Sequence, residues 1–249
     1  MKILDAHAHI GSCRVFDLNV SEEDLIKNMD AKGVYAAIVQ PWPGAYPQPP
    51  VEVHDRIAKL AEKYPGRIFG MASINPHVIS KEAWRQEVDR CVKDLGFVGL
   101  KLHTIGHAIL PASTDGMMIF EAASELGVPV MVHTGLGIPP ALPAMVIPAA
   151  MKYPSLPIIL SHCGFNIATG EAIFVASAFK NLYVECSWCA GPDIVWAMNQ
   201  LGPQRVMFGT DFPNNIETEL VKVKEAGATA EQLEWYLSKT AATVFKIKL

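Results

Sequence analysis

The chain has little charge and lacks an excess of basic residues. Of its 249 residues 18% are charged, and 21 Lys and Arg stand against 25 Asp and Glu, for a net charge of −4. A protein that binds nucleic acid or an anionic membrane usually carries a basic surface. The composition therefore argues against nucleic acid and anionic membranes as partners. Half of the residues are hydrophobic, which favours a chain with a large core over a disordered one.

The chain also lacks a long apolar segment and a regular set of cysteines. No apolar run precedes Asp5, so we expect no secretory signal. The longest stretch without a charged residue lies between His133 and Lys152 and contains four prolines, which exclude it as a membrane helix. Five cysteines without regular spacing are typical of reduced thiols. We therefore expect a cytoplasmic protein.

The chain does have a regular alternation of short apolar runs and helix-like runs. The predicted strands are Ile3–Ile10, Val34–Gln40, Ile68–Ile74, Phe97–His103, Val130–His133, Ile158–His162, Leu182–Cys186 and Val206–Thr210. Strict alternation predicts a parallel sheet. Eight units in about 250 residues match a (β/α)8 TIM barrel, which we expect as a single domain over residues 1–249.

A doubly wound α/β sheet is the alternative fold. Its dinucleotide-binding form needs G-x-G-x-x-G directly after a strand. The nearest match begins at Gly135, lacks the third glycine and has prolines where a helix should start. The barrel is therefore preferred.

The first predicted strand contains the motif DAHAHIG. Because side chains alternate along a strand, Asp5, His7 and His9 are expected to share one face. That pattern fits an amphipathic strand with a polar face, and it equally fits a metal site. The other strands decide between these two interpretations.

Polar residues also stand at the ends of other predicted strands. In a barrel these ends share one rim. The rim candidates are His7, His9, Lys101, His103, His133, His162 and Asp211. A lone histidine there is usually a satisfied polar residue, but five imidazoles and a carboxylate in one enclosed cup need a cation. Imidazole with one carboxylate favours Zn²⁺, with Mn²⁺, Fe²⁺ and Co²⁺ as alternatives.

The order D-x-H-x-H, GLKLH, VHTG, SHCG and GTDFP resembles the amidohydrolase superfamily. More narrowly, it is similar to the amidohydrolase-2 group, which includes aminocarboxymuconate-semialdehyde decarboxylase and related metal-dependent hydrolases. The C-terminal KTAATVFKI resembles the closing helix of that group. The resemblance implies one divalent metal held by His7, His9, His133 and Asp211. It also implies that His162 is a general acid/base, and Asp211 would orient the water as well as bind the metal.

Lys101 has two interpretations. In two-metal members of the superfamily, a carboxylated lysine of the fourth strand bridges the ions. The group resemblance favours a single metal, with Lys101 as a substrate-binding cation. A structural, salt-bridged lysine stays equally open.

The resemblance is incomplete after the first strand. The decarboxylases of the group are longer and carry a substrate-binding arginine in an insertion there. Here that connection is only Gly11–Val20, and it contains Arg14, which becomes the candidate for binding a substrate carboxylate.

Three further residues are candidate substrate contacts. His103 stands at the rim, and Trp188 follows the seventh strand. Trp42 lies within the proline-rich segment Pro41–Pro50, which is either a stiff lid over the rim or an ordinary surface loop. Glu185 either supports a histidine or is paired on its own strand.

These observations predict a metal-dependent hydrolase that acts on a small-molecule amide, lactone or ester through an activated water. The alternative is a non-oxidative decarboxylase of a small carboxylic acid that uses the same site. A third possibility is a barrel that binds a metal or metabolite without turnover, but a free base beside the ion argues against it. A homodimer is expected only from its general frequency.

Overall fold

The computed structural model describes residues 1–13, 17–43 and 50–249. The strands are β1 (Ile3–Cys13), β2 (Leu18–Val20), β3 (Val34–Pro41), β4 (Ile68–Ser73), β5 (Gly99–Leu102), β6 (Val130–His133), β7 (Ile158–Ser161), β8 (Leu182–Glu185) and β9 (Val206–Met207). The α-helices are α1 (Glu22–Lys32), α2 (Pro50–Lys63), α3 (Lys81–Lys93), α4 (Thr114–Leu126), α5 (Ile147–Lys152), α6 (Thr169–Ala178), α7 (Gly191–Leu201), α8 (Ile216–Glu225), α9 (Ala230–Glu234) and α10 (Thr240–Val244). In this part of the chain, no helix is long and apolar enough to cross a membrane.

Eight strands form a parallel sheet in the order β1-β3-β4-β5-β6-β7-β8-β9, and β2 adds to β1 in the antiparallel sense. The sheet closes where Ala8 pairs with Asp211. Beside that pair, the Ala6 amide donates to the Phe208 carbonyl at 3.0 Å. The structure therefore confirms the predicted (β/α)8 barrel.

Local sequence signals explain how the first helix begins and ends. The Ser21 hydroxyl accepts a hydrogen bond from the Asp24 amide at 3.0 Å and caps the N-terminus of α1. Gly33 ends the helix at a φ of 72°, a left-handed conformation that glycine adopts without a steric cost.

Several element boundaries differ from the sequence-based expectation by one or two residues, and three places differ by more. β1 continues past Ile10 to Cys13, because its last residues pair with β2. β9 ends at Met207, because the Phe208 amide donates instead to the Tyr236 carbonyl. The sequence pattern predicts one helix over Glu231–Phe245, but the structure divides this segment into α9, a π-helical turn (Trp235–Lys239) and α10.

The barrel interior is apolar at one end and polar at the other. Its apolar layers come from alternate positions of the strands and from the C-terminal segment: Leu4, Ala6, Ala36, Ile38, Met71, Met131, Ile159, Met207, Val244, Phe245 and Ile247. Two residues beyond Ile38, Met131 and Ile159 stand Gln40, His133 and Ser161. Period-two alternation therefore carries polar side chains into the C-terminal end of the same interior.

The first strand does not keep strict alternation. Leu4 and Ala6 pack in the barrel interior, whereas Ala8 and Ile10 pack in the layer between the strands and the helices. The register of β1 against β3 shifts between Asp5 and Ala8, as it does at a β-bulge. The expectation that Asp5 shares a face with His7 and His9 was therefore wrong. The Asp5 carboxylate instead accepts from Thr210, whose hydroxyl lies 2.5 Å away.

Candidate metal centre

His7 and His9 direct two ring nitrogens at the same point. Their Nε2 atoms lie 3.1 Å apart. Nδ1 of His9 lies 3.0 Å from the Pro41 carbonyl, and Nδ1 of His7 lies 2.7 Å from Oε2 of Glu185. A carbonyl only accepts, so Nδ1 of His9 carries the hydrogen, and the Glu185 carboxylate places it on Nδ1 of His7 in the same way. Burial holds the pKa of both rings below its usual value.

With its hydrogen on Nδ1, each neutral ring has a lone pair on Nε2, and the two lone pairs face each other. Lone pairs cannot hydrogen-bond to one another, and both side chains are buried. The Lys101 amine and the Gln40 amide each reach one of these nitrogens, and the convergence of the two lone pairs also fits a shared cation. Oδ1 of Asp211 lies 3.4 Å from both Nε2 atoms and adds a negative charge. These three side chains form a cluster whose ligand atoms lie within 4.8 Å of one another. The donor set fits a divalent cation.

His133 stands beside this cluster with both ring nitrogens unused. The ring is buried, and neither nitrogen has a hydrogen-bond partner among the described residues. It stacks on His103 at a centroid distance of 4.3 Å and meets His162 edge-on at 4.8 Å. Buried polar atoms are rarely left unpaired, so an unpaired imidazole here fits a role as a further metal ligand.

The Asp211 carboxylate has different partners at its two oxygens. Oδ1 faces the two histidines, whereas Oδ2 accepts a hydrogen bond from the Trp188 indole at 2.9 Å. Burial raises the pKa of Asp211, but the contacts with His9, His162 and His7 outweigh that effect and hold it well below its usual value. Asp211 is therefore an ionised group in the cavity wall.

His162 follows β7 and presents one nitrogen to the protein and one to the cavity. Nδ1 lies 2.8 Å from the Ser187 hydroxyl, and the ring lines the cavity. Burial holds the pKa of the ring well below its usual value. A neutral ring with one unengaged nitrogen can exchange a proton with a bound molecule.

Lys101 lies beneath the histidines rather than in the cavity wall. Its Nζ atom is 3.0 Å from Nε2 of His7 and 3.1 Å from the Ser161 hydroxyl. Burial lowers the pKa of Lys101 to about 8, although Asp211 and Glu185 act in the opposite direction. The amine is thus a buried cation whose charge is poorly stabilised.

Several residues at the site, Leu136 and Phe165 of the cavity lining among them, have left-handed backbone conformations without being glycine. Four further residues are closest to the candidate ligands. The φ angles are 65° at His162, 42° at Cys163, 66° at Trp188 and 64° at Asp211. Each such residue costs on the order of 1–3 kcal/mol. Side-chain contacts hold two of these turns: the Cys189 thiol donates to the His162 carbonyl, and Glu219 accepts from the Trp188 amide. Strain concentrated at one rim is typical of a functional site.

The site opens into a cavity of about 300 Å³, at the small end of the range for ligand pockets. Its lining residues are Leu18, Trp42, His103, Ile105, His133, Leu136, His162, Phe165, Trp188, Asp211 and Phe212. Most of this wall is apolar or aromatic. Trp42 packs flat on His9, with ring centroids 4.1 Å apart, and also contacts Phe212.

The structure brings most of the predicted site residues together. His103, Trp42 and Trp188 line the cavity with His133, His162 and Asp211, whereas Lys101 does not. Arg14 and most of the proposed lid, residues 44–49, lie outside the described residues.

Two residues that contact the site histidines had little or no signal in the sequence. Ser187 carried none, and Glu185 was left with two interpretations. The structure places the Glu185 carboxylate against His7. Phe165 and Phe212 follow the rim motifs SHCG and GTD directly, so their positions could have been anticipated from the motif ends.

Several solved structures share this fold. The structure of 2,6-dihydroxybenzoate decarboxylase with 2,6-dihydroxybenzoate is 17% identical over 99% of both chains, with a TM-score of 0.79. A 5-carboxyvanillate decarboxylase from Novosphingobium aromaticivorans, with manganese and 4-hydroxy-3-methoxy-5-nitrobenzoic acid, is 19% identical over 98% of this chain and 96% of its own, with a TM-score of 0.77. A Pseudomonas putida protein described as a 2-pyrone-4,6-dicarboxylic acid hydrolase is 18% identical over 100% and 98%, with a TM-score of 0.74.

At these identities, the likeness to solved structures establishes the fold alone. A search of curated proteins finds no significant match. The family-level comparison is decisive, because a sequence model described as amidohydrolase matches residues 24–247, which is most of the chain. The chain therefore belongs to the amidohydrolase family.

Proposed function

We propose that the protein is a metal-dependent enzyme that removes the carboxyl group of a small planar aromatic acid as CO₂. The observation that carries this proposal is the cavity, where aromatic walls converge on a cluster of metal-ligating side chains. The fold similarity to two decarboxylases of hydroxylated aromatic acids supports the same substrate class.

The shape of the cavity suits a flat molecule. Phe165 and Trp188 lie nearly parallel, with centroids 6.1 Å apart and planes 23° from one another, and Phe212 meets Trp188 edge-on. Aromatic side chains in such arrangements favour stacking or edge contact with another ring. The volume of about 300 Å³ suits a substrate with one ring.

His7, His9, His133 and Asp211 are the residues that would hold the metal. A divalent cation held there supplies a Lewis acid that polarises an oxygen of the bound substrate. Zinc and manganese both accept this combination of imidazole and carboxylate ligands. The four side chains come from three different segments of the barrel, β1, β6 and the residues after β9, so the closed sheet sets their spacing.

His103 is the candidate for a neutral hydrogen-bond donor to the substrate. Its Nδ1 atom accepts from the Gly106 amide at 3.0 Å, which places the ring hydrogen of a neutral histidine on Nε2. Burial keeps the pKa of this ring well below its usual value. Stacking on His133 fixes the ring plane, so His103 can orient a substrate oxygen beside the metal ligands.

Loss of CO₂ from an aromatic carboxylate requires one proton at the carbon that loses the carboxyl group. His162 is the residue placed to deliver it, since its ring lines the cavity and Nε2 is the nitrogen left by Ser187. Nε2 of His162 first takes up a proton from solvent. The C–C bond then breaks, its electron pair takes up that proton at the ring carbon, and the imidazole returns to its neutral form. General-acid help of this kind contributes about 10²–10⁴ in rate.

Hydrolysis of a lactone or ester is the second candidate function. Similarity to a protein described as a 2-pyrone-4,6-dicarboxylic acid hydrolase favours it. In that reaction His162 would first accept a proton from the attacking water and then return it to the leaving oxygen. The same side chains serve both reactions, so the substrate distinguishes them.

The test is an assay of the purified protein loaded with Zn²⁺ or Mn²⁺. The substrates are 2,6-dihydroxybenzoate, 5-carboxyvanillate, further single-ring hydroxybenzoates, and the lactone 2-pyrone-4,6-dicarboxylate. We expect CO₂ release from at least one aromatic acid. In D₂O the product should carry one deuterium on the carbon that lost the carboxyl group.

Two controls accompany the assay. Chelated protein and the His162→Asn variant should both lose the activity. Hydrolysis of the lactone without CO₂ release from any acid would reverse the order of the two functions. Activity that persists after complete metal removal would contradict both.

A further inference from the structure

The Ser187 hydroxyl lies between the two titratable side chains His162 and Glu185. Its Oγ atom is 2.8 Å from Nδ1 of His162 and 3.1 Å from Oε2 of Glu185. Both residues of this link, Ser187 and Glu185, are fully buried. Ser187 does not line the cavity, so it is placed to act through His162 rather than on a bound molecule.

The hydrogen atoms in this link have one consistent arrangement. A hydroxyl carries a single hydrogen, and a carboxylate only accepts. The Ser187 hydroxyl therefore donates to Glu185 and must accept from Nδ1–H of His162. A neutral histidine with its hydrogen on Nδ1 has a free lone pair on Nε2, the nitrogen that Ser187 does not contact.

Burial raises the pKa of Glu185 to about 7, while the donors around the carboxylate favour its ionised, accepting form. Oε1 accepts from the Ser187 amide at 2.5 Å, and Oε2 accepts from the His162 amide at 3.2 Å. Backbone amides cannot reverse direction. Oε2 also lies 2.7 Å from Nδ1 of His7, so one carboxylate faces both a proposed metal ligand and the link to His162.

We propose that Ser187 and Glu185 are positioning residues that lock His162 in the Nδ1–H tautomer and thereby present the Nε2 lone pair to the cavity. This inference rests on the proposed function of His162 as the proton-transferring group. Ser187 acts on His162 alone, whereas Glu185 sets the tautomers of His162 and His7 together. In a Ser-His-Asp triad an acidic residue orients the catalytic histidine. Here the acidic residue would do so through a serine that lies between it and the histidine.

The direct test is the tautomer of His162, measured by NMR on ¹⁵N-histidine-labelled protein. The zinc-loaded form is used because Zn²⁺ is diamagnetic, and the His162→Asn variant assigns the signal. We expect a protonated Nδ1 and an unprotonated Nε2 in the native chain. In Ser187→Ala the Nδ1–H loses its acceptor, so the signal should move to the Nε2–H form or to a mixture.

Ser73→Ala is the matched control. It deletes a hydroxyl that is also buried at the C-terminal end of a strand but has no hydrogen-bond partner among the described residues. This variant should leave the His162 tautomer unchanged. Circular dichroism and metal content confirm that each variant is folded and loaded.

Kinetics on the substrate found in the assay above give the second readout. Ser187→Ala should lower kcat about tenfold, the equivalent of one hydrogen bond, with little change in KM because Ser187 does not contact the cavity. Ser187→Thr keeps a hydroxyl and should recover part of the rate. The larger side chain is tested for folding in the same way.

The outcomes separate this inference from the proposed function. A His162 ring with its hydrogen on Nε2 in the native chain would overturn it, as would an unchanged tautomer in Ser187→Ala. The expected tautomer shift without turnover of any tested substrate would uphold the positioning role and reject the proposed reaction.

Discussion

Four of the five rim histidines have a hydrogen-bond partner at Nδ1, whereas the fifth, His133, has none among the described residues. These partners are Glu185 for His7, the Pro41 carbonyl for His9, the Ser187 hydroxyl for His162 and the Gly106 amide for His103. The first three are acceptors, so these rings present a lone pair on Nε2. The fourth is a donor, so His103 presents an N–H. Histidine alone thus supplies three Nε2 lone pairs and one N–H donor at this rim.

His162→Asn should keep the metal and the fold but lose most of the turnover. Asparagine cannot exchange a proton, and general acid/base help is worth about 10²–10⁴ in rate. The measurement is kcat beside metal content for the same preparation. If metal is lost together with activity, His162 is a ligand. If both survive, another group moves the proton, and Asp211 or His103 is the first candidate.

Lys101→Met should not empty the metal site. The Lys101 amine lies 3.0 Å from Nε2 of His7, so removing its positive charge should strengthen cation binding at that nitrogen. We expect about one equivalent of metal by elemental analysis in the native chain and in the variant. Two equivalents in the native chain, both lost in the variant, would indicate a carboxylated lysine that bridges two ions.

At the scale of elements, a buried polar network joins α2, α3 and β4. His54 of α2 contacts Oε1 of Glu87 in α3 at 2.8 Å and accepts from the Ser73 amide of β4 at 3.1 Å. Arg90 donates twice to the same carboxylate. Because Nε2 of His54 accepts from the Ser73 amide, the ring must be neutral. Burial lowers the pKa of His54, which favours this neutral form.

This network should make the barrel sensitive to acid. Burial raises the pKa of Glu87, but the hydrogen bonds from His54 and Arg90 outweigh it and hold the pKa at about 2, below the usual 4.5. A lowered carboxyl pKa stabilises the folded state above pH 4.5, and that stability is lost as the pH falls toward 2. The buried neutral His54 acts in the same direction, because the unfolded chain takes up its proton at a higher pH.

Glu87→Gln should lower the free energy of unfolding at pH 6 by about 1–2 kcal/mol, after allowance for solvent screening. Urea unfolding at pH 6 and pH 3 measures the effect, and the loss should shrink at pH 3. Glu62→Gln, on an exposed position of α2, is the control and should change neither value. An equal loss at both pH values would contradict the assignment.

At the scale of the whole molecule, a metal held at the rim ties together segments from opposite ends of the chain. His7 and His9 lie on β1, and Asp211 follows β9, the last strand. Since an unfolded chain does not hold these donors together, a bound cation stabilises the closed barrel. The apolar interior layers contain none of these residues, so the barrel should fold without the ion.

Addition of Zn²⁺ to chelated protein should therefore raise Tm. A free concentration of about 100 times Kd adds about 2.7 kcal/mol, or about 5–10 °C for a chain of this size. The double variant His7→Ala/His9→Ala should stay folded and show no metal-dependent shift. His77→Ala, which removes an exposed histidine, should keep it. A shift that persists in the double variant would place the metal elsewhere.

The sequence by itself determined the barrel and most of the rim. Alternating apolar and helical runs dictate a parallel sheet, and a parallel barrel brings every strand end to one edge. His9, His133 and Asp211 could therefore be grouped without any knowledge of loops. The same reasoning failed at Asp5, because a bulge in β1 depends on how the first strand closes against the last.

Only the tertiary structure decided the chemistry of each side chain. Ser187 gave no signal, since its role depends on a contact with His162, 25 residues away. Trp188, whose backbone is left-handed, donates a hydrogen bond to Asp211 from 23 residues away. Lys101 took its place beneath His7 rather than in the cavity. Periodicity sets the face on which a residue lies, whereas tautomers, hydrogen-bond direction and cavity shape depend on neighbours that are distant in the chain.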